Sequence, residues 1–175
     1  MKILAFAGST SSTSRNRELV KFTLTYFSEH EIDLIDLNDY EMPIFSVDRE
    51  FNGYPPEAYR FLEAIKESDV IICSLAEHNR SYSAAFKNIF DWASRINAKV
   101  FQNKPMLLMS TSPGKFGGGN VMNTAKTFFP QFGADVKVTF SLPSFDQTFV
   151  IGKGVVDADL LTQLENSINQ FKQAV

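Results

Sequence analysis

From Ser9 to Ser14 every side chain carries a hydroxyl, and Arg15 and Asn16 follow directly. The stretch lies between the apolar run Ile3–Ala7 and a segment with helical spacing, so it reads as a strand-to-helix turn. At such a turn the first amides of the helix lack intrahelical partners, and neighbouring hydroxyls complete a cradle for an anion. One serine is enough to cap a helix. This turn supplies Ser9, Thr10, Ser11, Ser12, Thr13 and Ser14, so a phosphate held by neutral donors is the expected ligand, with at most one charge from Arg15. The turn matches neither the G-x-x-x-x-G-K-[ST] loop of nucleoside-triphosphate sites nor the G-x-G-x-x-G fingerprint of dinucleotide sites, which leaves a terminal phosphate monoester.

Two further stretches have the composition of ligand loops. After the apolar run Val70–Leu75 come Ala76, Glu77, His78, Asn79, Arg80 and Ser81. After Met106–Met109 comes a run from Ser110 to Gly119 that holds Ser112, Gly114, Gly117 and Gly118, and glycines let backbone amides approach a flat ligand closely. Other chemistries fit less well. Cys73 and Arg80 are separated by six residues, one more than a thiolate phosphatase loop requires, and Cys73 lies inside an apolar run where an inert thiol is expected. The two histidines, His30 and His78, are far apart and the chain has one cysteine, so no metal cluster is expected. Asp33 and Asp36 fall in an expected strand and do not form a hydrolytic carboxylate pair.

Strands and helices must bring these loops together. Ile3–Ala7, Ile32–Leu37, Val70–Leu75 and Met106–Met109 are continuous apolar runs, as parallel strands covered on both faces should be. Asp135–Phe140 alternates and is expected at an edge. Between them, helices are expected over Arg15–Ser28, from Pro56, from Ser83, over Asn120–Phe129 and over Asp157–Phe171. This β-α alternation predicts a single doubly wound α/β domain over residues 1–175, with a five-stranded parallel sheet in the order 2-1-3-4-5 and helices on both faces. In that order the loops after the first, third and fourth strands meet at one sheet edge. The stretch from Asn38 to Pro55 is long for a connection, which suits a functional or interfacial loop.

The net charge of −3 gives no electrostatic case for nucleic acid or an anionic membrane as partner. A lone cysteine suits a reducing compartment. The opening apolar run is too short for a secretory signal and no run approaches a membrane span, so a cytoplasmic location is expected.

The segments "GSTSSTSRN", "LAEHNRSYSAAFKNIFDW" and "STSPGKFGGGN" resemble the NADPH-dependent FMN reductase family, which has a flavodoxin-like three-layer fold. The middle segment is the most specific, with Glu77, Asn79, Lys87, Asn88, Asp91 and Trp92 standing in the family's Pro-Glu-Tyr-Asn turn and following helix. The resemblance implies bound FMN, reduced by NADPH or NADH, that passes electrons by a ping-pong route to a quinone, azo, flavin or metal-oxyanion acceptor. It places Ser9, Ser14 and Asn16 at the FMN phosphate, and Ser11 and Arg15 of the same turn are expected beside them. Glu77, His78, Asn79 and Arg80 fall along the ring and ribityl chain, and Ser112, Gly114, Gly117 and Gly118 on the far side of the ring. Asn79 and His78 would tune the flavin, which itself carries the chemistry. Ser11, Ala76 and His78 replace the family's usual arginine, proline and tyrosine, and the first change removes a positive charge. The alternatives are a flavodoxin-like electron carrier, disfavoured by the mild acidity and glycine-rich third loop, and a flavin-free interaction module. Trp92 falls off the apolar stripe of its helix and is expected at the interface of a homodimer or homotetramer, with a partner's 38–55 loop approaching the flavin.

Overall fold

The computed structural model describes residues 1–175. Its strands are β1 (Lys2–Gly8), β2 (Glu31–Leu34), β3 (Val70–Leu75), β4 (Pro105–Thr111) and β5 (Asp135–Leu142). They form one sheet in the order β2-β1-β3-β4-β5, with every neighbouring pair parallel. The helices are α1 (Arg15–Leu24), α2 (Pro56–Glu67), α3 (Ala84–Ile96), α4 (Gly119–Phe128) and α5 (Ala158–Gln173). No helix is long and apolar enough to cross a membrane.

Successive strand residues point to opposite faces, and the sheet accordingly divides two cores. On one face Leu4, Phe6, Ile71, Cys73, Met106 and Leu108 meet Phe61 and Ile65 of α2, Phe86 and Ile89 of α3 and Val121 and Ala125 of α4. On the other, Ile3, Ala5, Ile72, Leu107 and Met109 meet Leu19 and Val20 of α1 and Leu164, Ile168 and Phe171 of α5. Double coverage explains why β1, β3 and β4 are buried on both faces and mostly apolar, with Ser74, Ser110 and Thr111 as buried polar exceptions towards the carboxyl ends of β3 and β4, and why the alternating β5 is found at the edge.

Two expectations need correction. The second strand stops at Leu34, because Asp36 turns the chain by accepting the Asn38 amide proton at 2.9 Å and starting a short 3-10 turn over Leu37–Tyr40. Trp92 is 1% exposed and lies inside this chain, where Phe45 packs edge-on against its ring. The segment from Met42 to Phe45 folds back over α3: Trp92 Nε1 donates to the Pro43 carbonyl at 2.7 Å. Asn88 donates to the carbonyls of Met42 and Pro43 and accepts the Phe45 amide proton. This return is non-local, so helical periodicity alone gives no sign of it.

Candidate functional site

A shallow polar cleft of about 240 Å³ opens at the carboxyl ends of β1, β3 and β4, where such sheets hold their ligands. Ser9, Ser11, Ser14, Arg15 and Asn16 form one wall, Glu77 and His78 a second, and Ser112 a third. The loops after three separate strands therefore meet as the strand order requires.

The serine turn is shaped by its own hydroxyls. Ser9 Oγ accepts the Ser11 amide proton at 3.1 Å, Ser11 Oγ accepts that of Thr13 at 3.3 Å, and the buried Ser14 caps α1 by accepting that of Arg17 at 3.2 Å. The amides of Ser12, Arg15 and Asn16 have no acceptor within the chain. Unpaired first-turn amides at a helix amino terminus, flanked by hydroxyls, suit a phosphate group.

Asn16 does something that its place in the turn did not suggest. Its side chain is a buried clip joining α1 to two strands: Oδ1 accepts from Ser74 Oγ at 2.7 Å and from the Thr111 amide at 3.1 Å, and Nδ2 donates to the Thr111 carbonyl at 3.3 Å. Its backbone amide alone remains for a ligand. Ser83 adds a second tie, capping α3 and donating to the Gly8 carbonyl at 2.7 Å. Sequence reasoning missed Ser74, Ser83 and Thr111 as supports, since their partners lie far away along the chain.

Arg15 is also engaged. Its Nε and Nη2 donate to the two carboxylate oxygens of Asp146 at 2.8 and 2.9 Å, in the short helix Phe145–Thr148 beyond β5. Hydrogen bonding to the guanidinium holds the Asp146 carboxyl below the usual carboxylate range. Across the turn, Arg17 pairs with Asp36, and Asn38 donates to the Thr10 carbonyl at 3.3 Å. Burial would raise the Asp36 pKa, yet the Asn38 amide and Arg17 outweigh it and leave that carboxyl lowered.

Glu77 and His78 pair with Tyr82 and Ser81 as a small antiparallel hairpin whose two-residue turn is Asn79-Arg80. Both turn residues have positive φ, 50° and 65°, a region side chains rarely occupy. His78, Asn79 and Arg80 are exposed, and only His78 of the three reaches the cleft wall. The Glu77 carboxylate turns away to cap α4, accepting from the Val121 amide at 2.9 Å and from Asn120 Nδ2 at 3.0 Å. It thus ties the hairpin to the glycine loop.

In that loop Ser112 lines the cleft, while Gly114 is exposed beside it. Gly117 and Gly118 are buried, and both have positive φ, 56° and 79°. A β-carbon on Gly117 would sit 2.8 Å from the Leu142 carbonyl oxygen, and the Gly117 amide donates to Gly114 at 3.1 Å. Packing against the end of β5 therefore demands glycine at 117. Cys73 is fully buried, and burial pushes its thiol pKa up, away from nucleophilic use. The structure contains no group of three or more histidine, cysteine or acidic residues with the spacing to hold a metal ion.

A family model described as NADPH-dependent FMN reductase matches residues 1–146. Among relatives, an NADPH:quinone oxidoreductase of Arabidopsis thaliana is 36% identical over 124 residues, 68% of this chain and 61% of that protein. An NAD(P)H-dependent FMN reductase of Pseudomonas aeruginosa is 31% identical over 118 residues, 67% of this chain and 63% of that protein. The chain thus spans somewhat less than two thirds of the length of these relatives. Among solved structures, a flavoenzyme NAD(P)H:(acceptor) oxidoreductase from Paracoccus denitrificans superposes with a TM-score of 0.74 at 23% identity, covering 98% of this chain and 97% of the other.

Proposed function

The chain belongs to the NADPH-dependent FMN reductase family, and from that membership we propose that it is an FMN-dependent NAD(P)H oxidoreductase acting on small-molecule acceptors. The observation that carries this reading is the pair of unpaired amides of Arg15 and Asn16 in a hydroxyl-walled cleft. Bound FMN would supply the redox chemistry, taking a hydride from NADPH or NADH and passing electrons on to a quinone, azo, flavin or metal-oxyanion acceptor. The chain's own residues bind and orient. Ser9, Ser11, Ser14, Arg15 and Asn16 would surround the phosphate; Glu77, His78, Asn79 and Arg80 the ring and ribityl chain; and Ser112, Gly114, Gly117 and Gly118 the opposite edge.

Glu77 would act by fixing the hairpin against α4, because both carboxylate oxygens are spent there. Asn79 at the hairpin tip would tune the ring, and His78 on the cleft wall, with Arg80, would sit by the ring edge and influence the entry of the nicotinamide. The cleft opens to one side, so we place both substrates on that side in turn. Parallel double-reciprocal lines are the expected kinetics, and intersecting lines from a ternary complex would overturn this order.

The direct test is addition of FMN to the protein in a thermal melt, since a ligand that binds only the native state must raise the melting temperature. Anaerobic mixing of the FMN-loaded protein with NADH or NADPH then separates an enzyme, which bleaches the flavin, from an electron carrier, which does not. No rise in melting temperature at saturating FMN would refute the reading.

We place the protein in the cytoplasm, and we propose a homodimer or homotetramer with the 38–55 loop of one copy near the cleft of another. Ile44, Val47 and Phe51 support this, being 76%, 74% and 92% exposed on a segment anchored from behind. A monomeric mass in light scattering at micromolar concentration would rule the assembly out.

A further inference from the structure

The cleft has one cation among its lining residues, and that cation is already paired. Arg15 is the first residue of α1 and part of the cleft wall, so its side chain starts beside the unpaired amides of the phosphate turn. The guanidinium nevertheless points to the rim, where its two bonds of 2.8 and 2.9 Å to Asp146 match the fork geometry in which arginine grips a carboxylate or a phosphate. Beyond the pair, a second groove is lined by Ser12, Thr13, Glu18, Phe145 and Ile151 as well as the pair itself. Its charges are Arg15, paired with Asp146, and Glu18, which is itself paired with Lys21 at 2.8 Å, so the outer groove offers no unpaired charge. Ser11, on the same wall, adds no charge.

We propose that Asp146 is a positioning residue that sets the affinity of the turn for phosphate esters by holding Arg15 away from it. The proposal rests on the reading of the turn as the FMN phosphate site. With Asp146 in place the phosphate meets neutral donors, and the flavin is held loosely enough to exchange. Without it, Arg15 is free to swing inward and share its charge with the phosphate.

Asp146 is exposed and its side chain bonds only to Arg15, so D146N should fold as the wild type does. The size of the effect follows from the class of interaction. Solvent-exposed pairs are weak, so releasing Arg15 should tighten binding by at most about fivefold.

The experiment titrates wild type, D146N, R15Q and the double variant with FMN and, separately, with riboflavin, which lacks the phosphate. D146N should bind FMN about two- to fivefold more tightly at low salt, with a steeper loss of affinity as salt is raised. The gain should vanish in the R15Q/D146N double variant, and riboflavin affinity should not change. Binding of FMN by the wild type with no gain in D146N overturns the inference and leaves the flavin reading intact. A gain that persists in the double variant, or that appears equally with riboflavin, also overturns it. Failure of every variant to bind FMN overturns both.

Discussion

Replacing Asn16 with alanine should destabilise the protein before any ligand is added. The Asn16 amide makes three hydrogen bonds, to Ser74 Oγ and to the amide and carbonyl of Thr111. Ser74 and Thr111 are 0% and 1% exposed, so water does not readily replace the lost partner. Each orphaned buried group costs about 1–3 kcal/mol. The Ser74 hydroxyl can rotate, and alanine recovers about half a kcal/mol of helix propensity. The net loss is then about 2–4 kcal/mol, or roughly 6–12 °C in melting temperature for a domain of this size. Thermal and urea unfolding of the FMN-free variant would measure it. A paired Ser74→Ala change removes one of the orphans, so the double variant should lose about 1 kcal/mol less than the sum of the singles. If Asn16→Ala melts within about 1 °C of wild type while FMN affinity collapses, the side chain is a ligand and the clip argument is wrong.

Three further outcomes are expected. Arg80→Gly, in the hairpin turn where Arg80 holds φ at 65°, should raise stability by about 0.5–1 kcal/mol, because glycine enters that region freely; a lower denaturation midpoint would contradict this. Cys73, fully buried with its pKa raised by burial, should resist thiol reagents in the native protein and react on unfolding, and rapid stoichiometric labelling of the native form would show that its site opens. Asp36 has a lowered folded-state pKa despite the opposing effect of burial, so its contribution is present above the ordinary aspartate value of 3.8 and fades as pH falls below it. Asp36→Asn should therefore flatten the acid limb of the stability curve below about pH 4, and an unchanged limb would exclude the Asn38 amide bond and the Arg17 pairing as its source.

Much of the architecture is legible because burial on both faces leaves a plain signature. β3 ends where its apolar run ends, and Pro56 marks the start of α2. The serine turn is likewise visible, since six adjacent hydroxyls exceed what a cap needs. What the sequence hides is the division of labour within the turn, where Asn16 serves as a clip and Arg15 is held by a carboxylate 131 residues away. The hairpin at Glu77–Tyr82 lacks the glycine that usually marks such a turn, so local chemistry does not announce it. Trp92 looked like a surface residue on helical spacing alone, and it is the returning Met42–Phe45 segment that buries it. In each case the missing information is a partner distant in sequence.

The Asn16 clip also bears on the order of events while the chain is being made. Domains emerge from the ribosome amino-terminal end first, and the serine turn is complete as a peptide by residue 16. Its shape is not complete then, because the clip closes on Ser74 and Thr111, which are translated much later. A nascent chain halted before β4 carries every hydroxyl of the turn without the brace that aims its amides. The ligand proposed for this turn would therefore be expected to bind after the central strands have docked, rather than to seed the folding of the first half of the molecule.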